Sequence, residues 1–176
     1  MNRTTVKNLA KRLALGLAAL ALAATPSFAQ TNVSLCVSDG TVTMGDGAII
    51  PIWGFVDTAG APCTTGLATL PGPEIRATAG QTLTVDITNA LSVPVSFFVP
   101  GLRPNVATGA AGMMTAEAAA GGSASYTFNN VREGTFLYHS GTDINTQVPM
   151  GMYGALVVDL AAGQAYGDVF YDQDQV

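Results

Sequence analysis

"QTLTVDITNAL", residues 81–91, alternates without a break. Leu83, Val85 and Ile87 fall on one side, and Thr82, Thr84, Asp86 and Thr88 on the other. Successive side chains of a strand point to opposite faces, so this period of two marks a strand with one face in a core and one in water. Working outward, "EIRATAG" precedes it across Ala79-Gly80 as a second strand. "VPVSFFVPG" follows as a nearly continuous apolar run, the pattern of a strand covered on both faces. Upstream, "VSLCVSDGTVTMGDG" is expected as a hairpin turning at Asp39-Gly40. "AIIPIWGFVD" is the next strand, placed near an edge or bulge by Pro51. Downstream, "SASYTFNN" and "GTFLYHSG" are strands joined through "VREG", "MYGALVVDL" is another buried run, and "AYGDVFYDQDQV" starts one more strand. The long irregular stretch "GLRPNVATGAAGMMTAEAAAGGS" holds the one expected helical turn, over Met114–Ala119. About eight short strands separated by turn signals predict an all-β fold, a β-sandwich with Greek-key connections.

The first 29 residues stand apart from this pattern. Arg3, Lys7, Lys11 and Arg12 make a basic head, and Leu13–Ala24 is an unbroken run of Leu, Ala and Gly. That run is shorter than the roughly 20 residues a membrane span needs. Ser27 and Ala29 then give the small-x-small pattern of a cleavage site, so residues 1–29 are expected to be a secretory signal peptide, with the mature chain starting at Gln30. The head holds four of the seven basic residues and none of the twelve acids, leaving Arg76, Arg103 and Arg132 against twelve carboxylates. Phosphate neutralisation needs clustered Lys and Arg, so nucleic acid and anionic membrane surfaces are excluded as partners. Export to the periplasm or outside the cell puts Cys36 and Cys63 where disulfides persist, and a bridge between them is expected. The alternative, a copper thiolate, needs two histidines beside the cysteine, and the chain has one histidine.

That histidine, His139, lies in "TFLYHSGTD", residues 135–143, where a strand meets a turn. A single imidazole is a weak metal site; the bland reading is a histidine bonded to backbone or to Asp143 at a strand end. Met150 and Met152, with Met113 and Met114, offer thioethers that suit Cu(I), although methionine also fills gaps in cores. On a strand, Met150 and Met152 share one face. Glu74, Asp86, Glu117 and Asp143 are scattered without paired spacing, and Ser140 follows His139 on the opposite face of a strand, which argues against a nucleophile–base pair. Trp53, Phe55, Phe97, Phe98, Phe136 and Tyr138 are expected as core and lid, with Phe97 and Phe98 also able to face a neighbouring domain.

Three ordered segments carry a family resemblance. "LPGPEIRATAGQTLTVDITNAL" resembles the stretch that opens multicopper oxidases, "GGSASYTF" their strand after a Pro-Gly-Gly-Ser turn, and "GTFLYHSGTDINTQVPMGMYGALVV" their closing strands. The resemblance runs from Val33 to Asp159 and implies a cupredoxin-like (plastocyanin-like) domain, the first of such a protein. It implies copper as the cofactor of the whole oxidase, with ligands from a His-x-His-Gly motif and a His-x-His motif. Here the first falls on "FVPG", with Phe98 and Pro100 at the histidine positions; the second falls on "HSG", with His139 at the first histidine and Gly141 at the second. A bacterial subgroup lacks His-x-His-Gly and reads Tyr-His-Ser-Gly-Thr-His, and its last histidine is Asp143 here. The resemblance therefore implies residues 30–165 as the cupredoxin-like domain and 166–176 as the start of a connection toward a second cupredoxin domain. That domain, or a homo-oligomer partner, would supply the remaining ligands. The other readings are a non-catalytic cupredoxin-like module and a periplasmic copper carrier that uses the methionines.

Overall fold

The computed structural model describes residues 30–172, so the expected signal peptide lies outside the described residues. The alternating segment forms β4 (Thr82–Asn89), with Leu83, Val85 and Ile87 buried and the threonine side turned outward. Before it come β1 (Gln30–Thr43), β2 (Ile49–Asp57) and β3 (Ile75–Thr78). After it come β5 (Val106–Thr108), β6 (Ser123–Phe128), β7 (Gly134–His139), the four-residue helix α1 (Ile144–Gln147), β8 (Tyr153–Asp159), β9 (Gln164–Tyr166) and β10 (Val169–Phe170). Five strands pair in the order β2-β1-β4-β6-β5, three in the order β3-β8-β7, and β9 with β10 makes a small hairpin.

The two larger sheets form a sandwich because the chain passes from one to the other between β2 and β3, between β3 and β4, and between β6 and β7. β3 and β4 lie three residues apart, yet β3 pairs with β8 while β4 pairs with β1 and β6. The turn at Ala79-Gly80, with Gly80 at φ 79°, throws the chain from one sheet to the other. β6 and β7 are split in the same way across Asn130, at φ 53°. These crossings are the expected Greek-key connections. They bring Leu83, Val85, Tyr126 and Phe128 of one sheet against Ile75, Tyr138, Leu156 and Val158 of the other. Phe55, Phe97 and Tyr138 form the aromatic centre, with Phe97 stacked on Tyr138 at 5.0 Å and Phe55 edge-on to both rings. Pro51 sits on β2, an edge strand, as expected.

Three local expectations are corrected. Asp39-Gly40 is not a turn: β1 runs straight through it, pairing Asp39 with Trp53 and Gly40 with Ile52, and the hairpin turns at Met44–Ala48. Both residues instead receive the loop from Thr64 to Ala68. Asp39 Oδ1 accepts from the Gly66 N–H at 2.7 Å, and a Cβ at Gly40 would lie 2.6 Å from the Ala68 carbonyl oxygen. "VPVSFFVPG" is extended but not a strand. Pro94 has no N–H, and the Ser96 and Phe97 N–H groups donate to Ser140 Oγ at 3.3 Å and Tyr126 OH at 3.1 Å, leaving only single bridges to Ala118 and His139. Met114–Ala119 has no helical turn, because Glu117 and Ala118 are bridged to Ala110 and Val95.

The expected disulfide is present: Cys36 in β1 is bonded to Cys63 in the loop after β2. It fits an oxidising compartment. No described helix is long and apolar enough to cross a membrane.

Candidate metal centre

Two segments carry the four positions singled out above, and the fold brings them side by side. Phe98 and His139 exchange both backbone hydrogen bonds, Phe98 N–H to His139 O at 2.8 Å and His139 N–H to Phe98 O at 2.9 Å. In such an antiparallel pair the Cβ atoms lie about 5 Å apart on one face. The two rings meet edge to face with centroids 5.5 Å apart.

The half-buried His139 ring places Nδ1 2.7 Å from the Ser140 carbonyl oxygen. A carbonyl can only accept, so Nδ1 carries a proton, and in the neutral ring the lone pair is on Nε2. Backbone support of one ring nitrogen is how ligating histidines are held, and it leaves Nε2 as one oriented donor atom. The other positions add none. Phe98 presents a hydrocarbon ring and Pro100 is exposed. Gly141 is buried, and a Cβ built on it would lie 3.2 Å from Phe98 Cβ, 3.2 Å from Ser96 Oγ and 3.4 Å from Met114 Cβ.

Asp143 takes a left-handed conformation, φ 41° and ψ 60°, at the start of α1. Its carbonyl accepts the N–H groups of Thr146 at 3.0 Å and Gln147 at 2.9 Å. With Met113, Met114, Glu117, Gly141 and Thr142 it lines an open cavity of about 530 Å³.

The remaining candidates scatter. Met150 and Met152 are not on a strand: Met150 closes the turn after α1, its N–H bonded to Thr146 O at 3.1 Å, and Met152 is fully buried core. Met113 is 96% exposed. Both cysteines are consumed by the disulfide, so neither is a thiolate ligand. Glu74 pairs with Arg76 on the smaller sheet. Phe97 is fully buried and cannot dock a neighbour, whereas Phe98 is half-buried and can. Ser140 is buried and its hydroxyl donates to Gln147 Oε1 at 2.6 Å, away from the His139 ring.

Ser96, Thr142 and Gln147 were not visible as site residues in the sequence. The available signal was weak: Ser96 interrupts an apolar run, and a polar residue in such a run must find hydrogen-bond partners. In the core, burial alone raises the phenol of Tyr138, and burial first, then the Glu117 charge, pushes Tyr126 up to about 12 against a backbone hydrogen bond at Phe97 that lowers it.

A family model described as multicopper oxidase matches residues 58–162, more than half of the 176-residue chain. The chain belongs to the multicopper oxidase family. It is 34% identical to copper resistance protein A of Pseudomonas syringae pv. tomato, over 99% of this chain and 27% of that protein. It is 35% identical to an L-ascorbate oxidase of Brassica rapa subsp. pekinensis, over 53% of this chain and 17% of that protein. Among solved structures, a multicopper oxidase of Pseudomonas thermotolerans superposes with a TM-score of 0.62 at 26% identity, over 75% of this chain and 30% of that one. The chain thus spans about a quarter or less of the length of the curated relatives it matches.

Membership of the family implies copper in the full-length protein. The residues present here do not fit a copper centre on their own. At the family's four ligand positions the donor set is one imidazole nitrogen, and among the described residues no three His, Cys, Asp or Glu side chains come together. Copper sites draw on several donors in fixed geometry.

Proposed function

We propose that this chain is the N-terminal cupredoxin domain of a secreted multicopper-oxidase-like protein, exported by the signal peptide at residues 1–29. In that reading, copper-dependent oxidation is a property of the longer or assembled protein. This chain supplies scaffold, an interface through the half-buried Phe98 side, and His139 as its single nitrogen donor. The observation that carries the proposal is the backbone-oriented His139 ring, at a ligand position of a chain whose family match spans residues 58–162. A downstream cupredoxin domain or a second copy of the chain completes the ligand set. Alone, the chain is inactive.

The test is expression of the full natural reading frame beside residues 30–176, with metal analysis and oxygen uptake in the presence of a reducing substrate. The proposal expects copper and oxygen uptake in the longer protein, loss of both on His139→Ala, and neither in the short chain. A longer protein unaffected by His139→Ala contradicts the assigned role.

One observation favours a second reading, a non-catalytic cupredoxin-like module. A Cβ at Gly141 would meet Phe98 Cβ and Ser96 Oγ at 3.2 Å and Met114 Cβ at 3.4 Å, so a side chain at this ligand position is crowded. A full-length product without copper or oxygen uptake supports that reading.

A further inference from the structure

We propose that the corner carrying the family's ligand positions is closed in this protein by a metal-independent polar clasp. The clasp holds together the segments around Phe98 and His139, the pair whose ligand positions face one another. Ser140 Oγ sits at its centre: it donates to Gln147 Oε1 at 2.6 Å and accepts the N–H groups of Thr142 at 3.2 Å and Ser96 at 3.3 Å. Gln147 Nε2 donates onward to the Pro94 carbonyl at 2.9 Å, tying α1 to the extended segment. Ser96 Oγ accepts the Gly141 N–H at 2.9 Å and lies 3.0 Å from Thr142 Oγ1, which donates to Glu117 Oε1 at 2.8 Å. Ser96, Ser140 and Gln147 are at most 2% exposed, so water cannot replace these bonds. Buried polar networks of this kind are rigid when every member is satisfied.

The clasp has a steric counterpart. Gly141 has an ordinary backbone conformation, yet its Cβ position is bounded by Phe98, Ser96 and Met114, two of them at 3.2 Å. A side chain there presses on Ser96 Oγ, which must shift by a few tenths of an ångström, and so strains the clasp. Phe98 differs: its ring already occupies side-chain space directly opposite His139, 5.5 Å from the imidazole. An imidazole at residue 98 fits the space of the phenyl ring and forms a cross-strand histidine pair. The two lost positions are therefore unequal: one can regain a donor in space already occupied by a ring, and at the other any side chain first meets tight contacts with Phe98 and Ser96. This inference rests on the correspondence of positions within the family and not on the longer protein being an oxidase.

The test is thermal melting and copper(II) titration of residues 30–176 without any electron donor. For the unmodified chain, the same melting temperature is expected in chelator and in roughly tenfold excess copper; a rise of several degrees with copper, as linkage requires of a tight native-state ligand, overturns the clasp's independence of metal. Gln147→Leu and Gly141→Ala are both expected to melt lower, and unchanged melting of either overturns the clasp. Phe98→His is expected to raise copper affinity about tenfold or more, with the gain removed by adding His139→Ala. Gly141→His is expected to melt lower and gain no affinity; a stable Gly141→His chain with a gain equal to that of Phe98→His overturns the inequality. Should Gly141→His fail to fold, Gly141→Ala carries the steric arm. None of these readouts depends on oxidase activity, so failure of the function proposed above leaves them intact.

Discussion

Replacing both cysteines by alanine should lower the melting temperature by about 10 °C. The bridge joins residues 27 apart, and closing a loop of that size in the unfolded chain corresponds to about 3.5 kcal/mol in the chain-entropy treatment. For a domain of this size, 1 kcal/mol shifts the midpoint by about 3 °C. The structure says where the effect must lie. The loop after β2 is also held by Ser38, whose hydroxyl donates to Thr64 O at 2.8 Å and accepts the Leu67 N–H at 3.1 Å. Asp39 adds its 2.7 Å bond to the Gly66 N–H and a backbone bond from the Ala68 N–H at 2.9 Å. The loop therefore stays docked without the bridge, and the loss comes chiefly from greater freedom of the unfolded chain. Calorimetry of Cys36→Ala/Cys63→Ala, and of the unmodified chain under reductant, measures the shift. Near-ultraviolet circular dichroism at room temperature reports whether the native packing survives. A shift under about 3 °C, or loss of the native signal before melting, would show that the bridge does not act chiefly on the unfolded chain.

Two further perturbations test the core. Asn89 is buried at the end of β4, where its amide donates to the carbonyls of Val93, Ala118 and Ala119 and its oxygen accepts the Leu91 N–H. Asn89→Ala strands several buried groups and should cost about 3 kcal/mol by urea denaturation; a loss below about 1 kcal/mol contradicts the assignment. Burial favours the neutral phenols of Tyr126 and Tyr138 in the folded chain, with Tyr126 pushed up to about 12 from an ordinary 10.0. Between those values the unfolded chain binds fewer protons than the folded one, so stability is intact below pH 10 and falls as pH rises. For Tyr126 the full loss is on the order of 3 kcal/mol. Denaturation midpoints that stay flat from pH 9 to pH 12 refute it.

The fold was legible wherever a strand has one wet face. β4 shows its period of two because Thr82, Thr84 and Thr88 point away from the core. Legibility failed where distant residues decided the outcome. Asp39-Gly40 carries turn chemistry, but it serves a loop 27 residues on that needs an acceptor and a gap. The extended segment at 94–98 lost its ladder to the hydroxyls of Ser140 and Tyr126, partners that no local pattern announces. The candidate site divides in the same way. That Phe98 and His139 both stand at ligand positions follows from the family resemblance, and the structure sets them side by side. The closure of Gly141 depends on Ser96 and Met114 arriving from elsewhere in the chain.

At the family's ligand positions this chain offers copper one oriented nitrogen and no centre of its own. Equilibrium dialysis of residues 30–176 against copper(II), followed by gel filtration and metal analysis, tests it most directly when run beside His139→Ala. Neither protein is expected to retain stoichiometric copper through gel filtration. One copper retained per chain, and lost with His139→Ala, would contradict it.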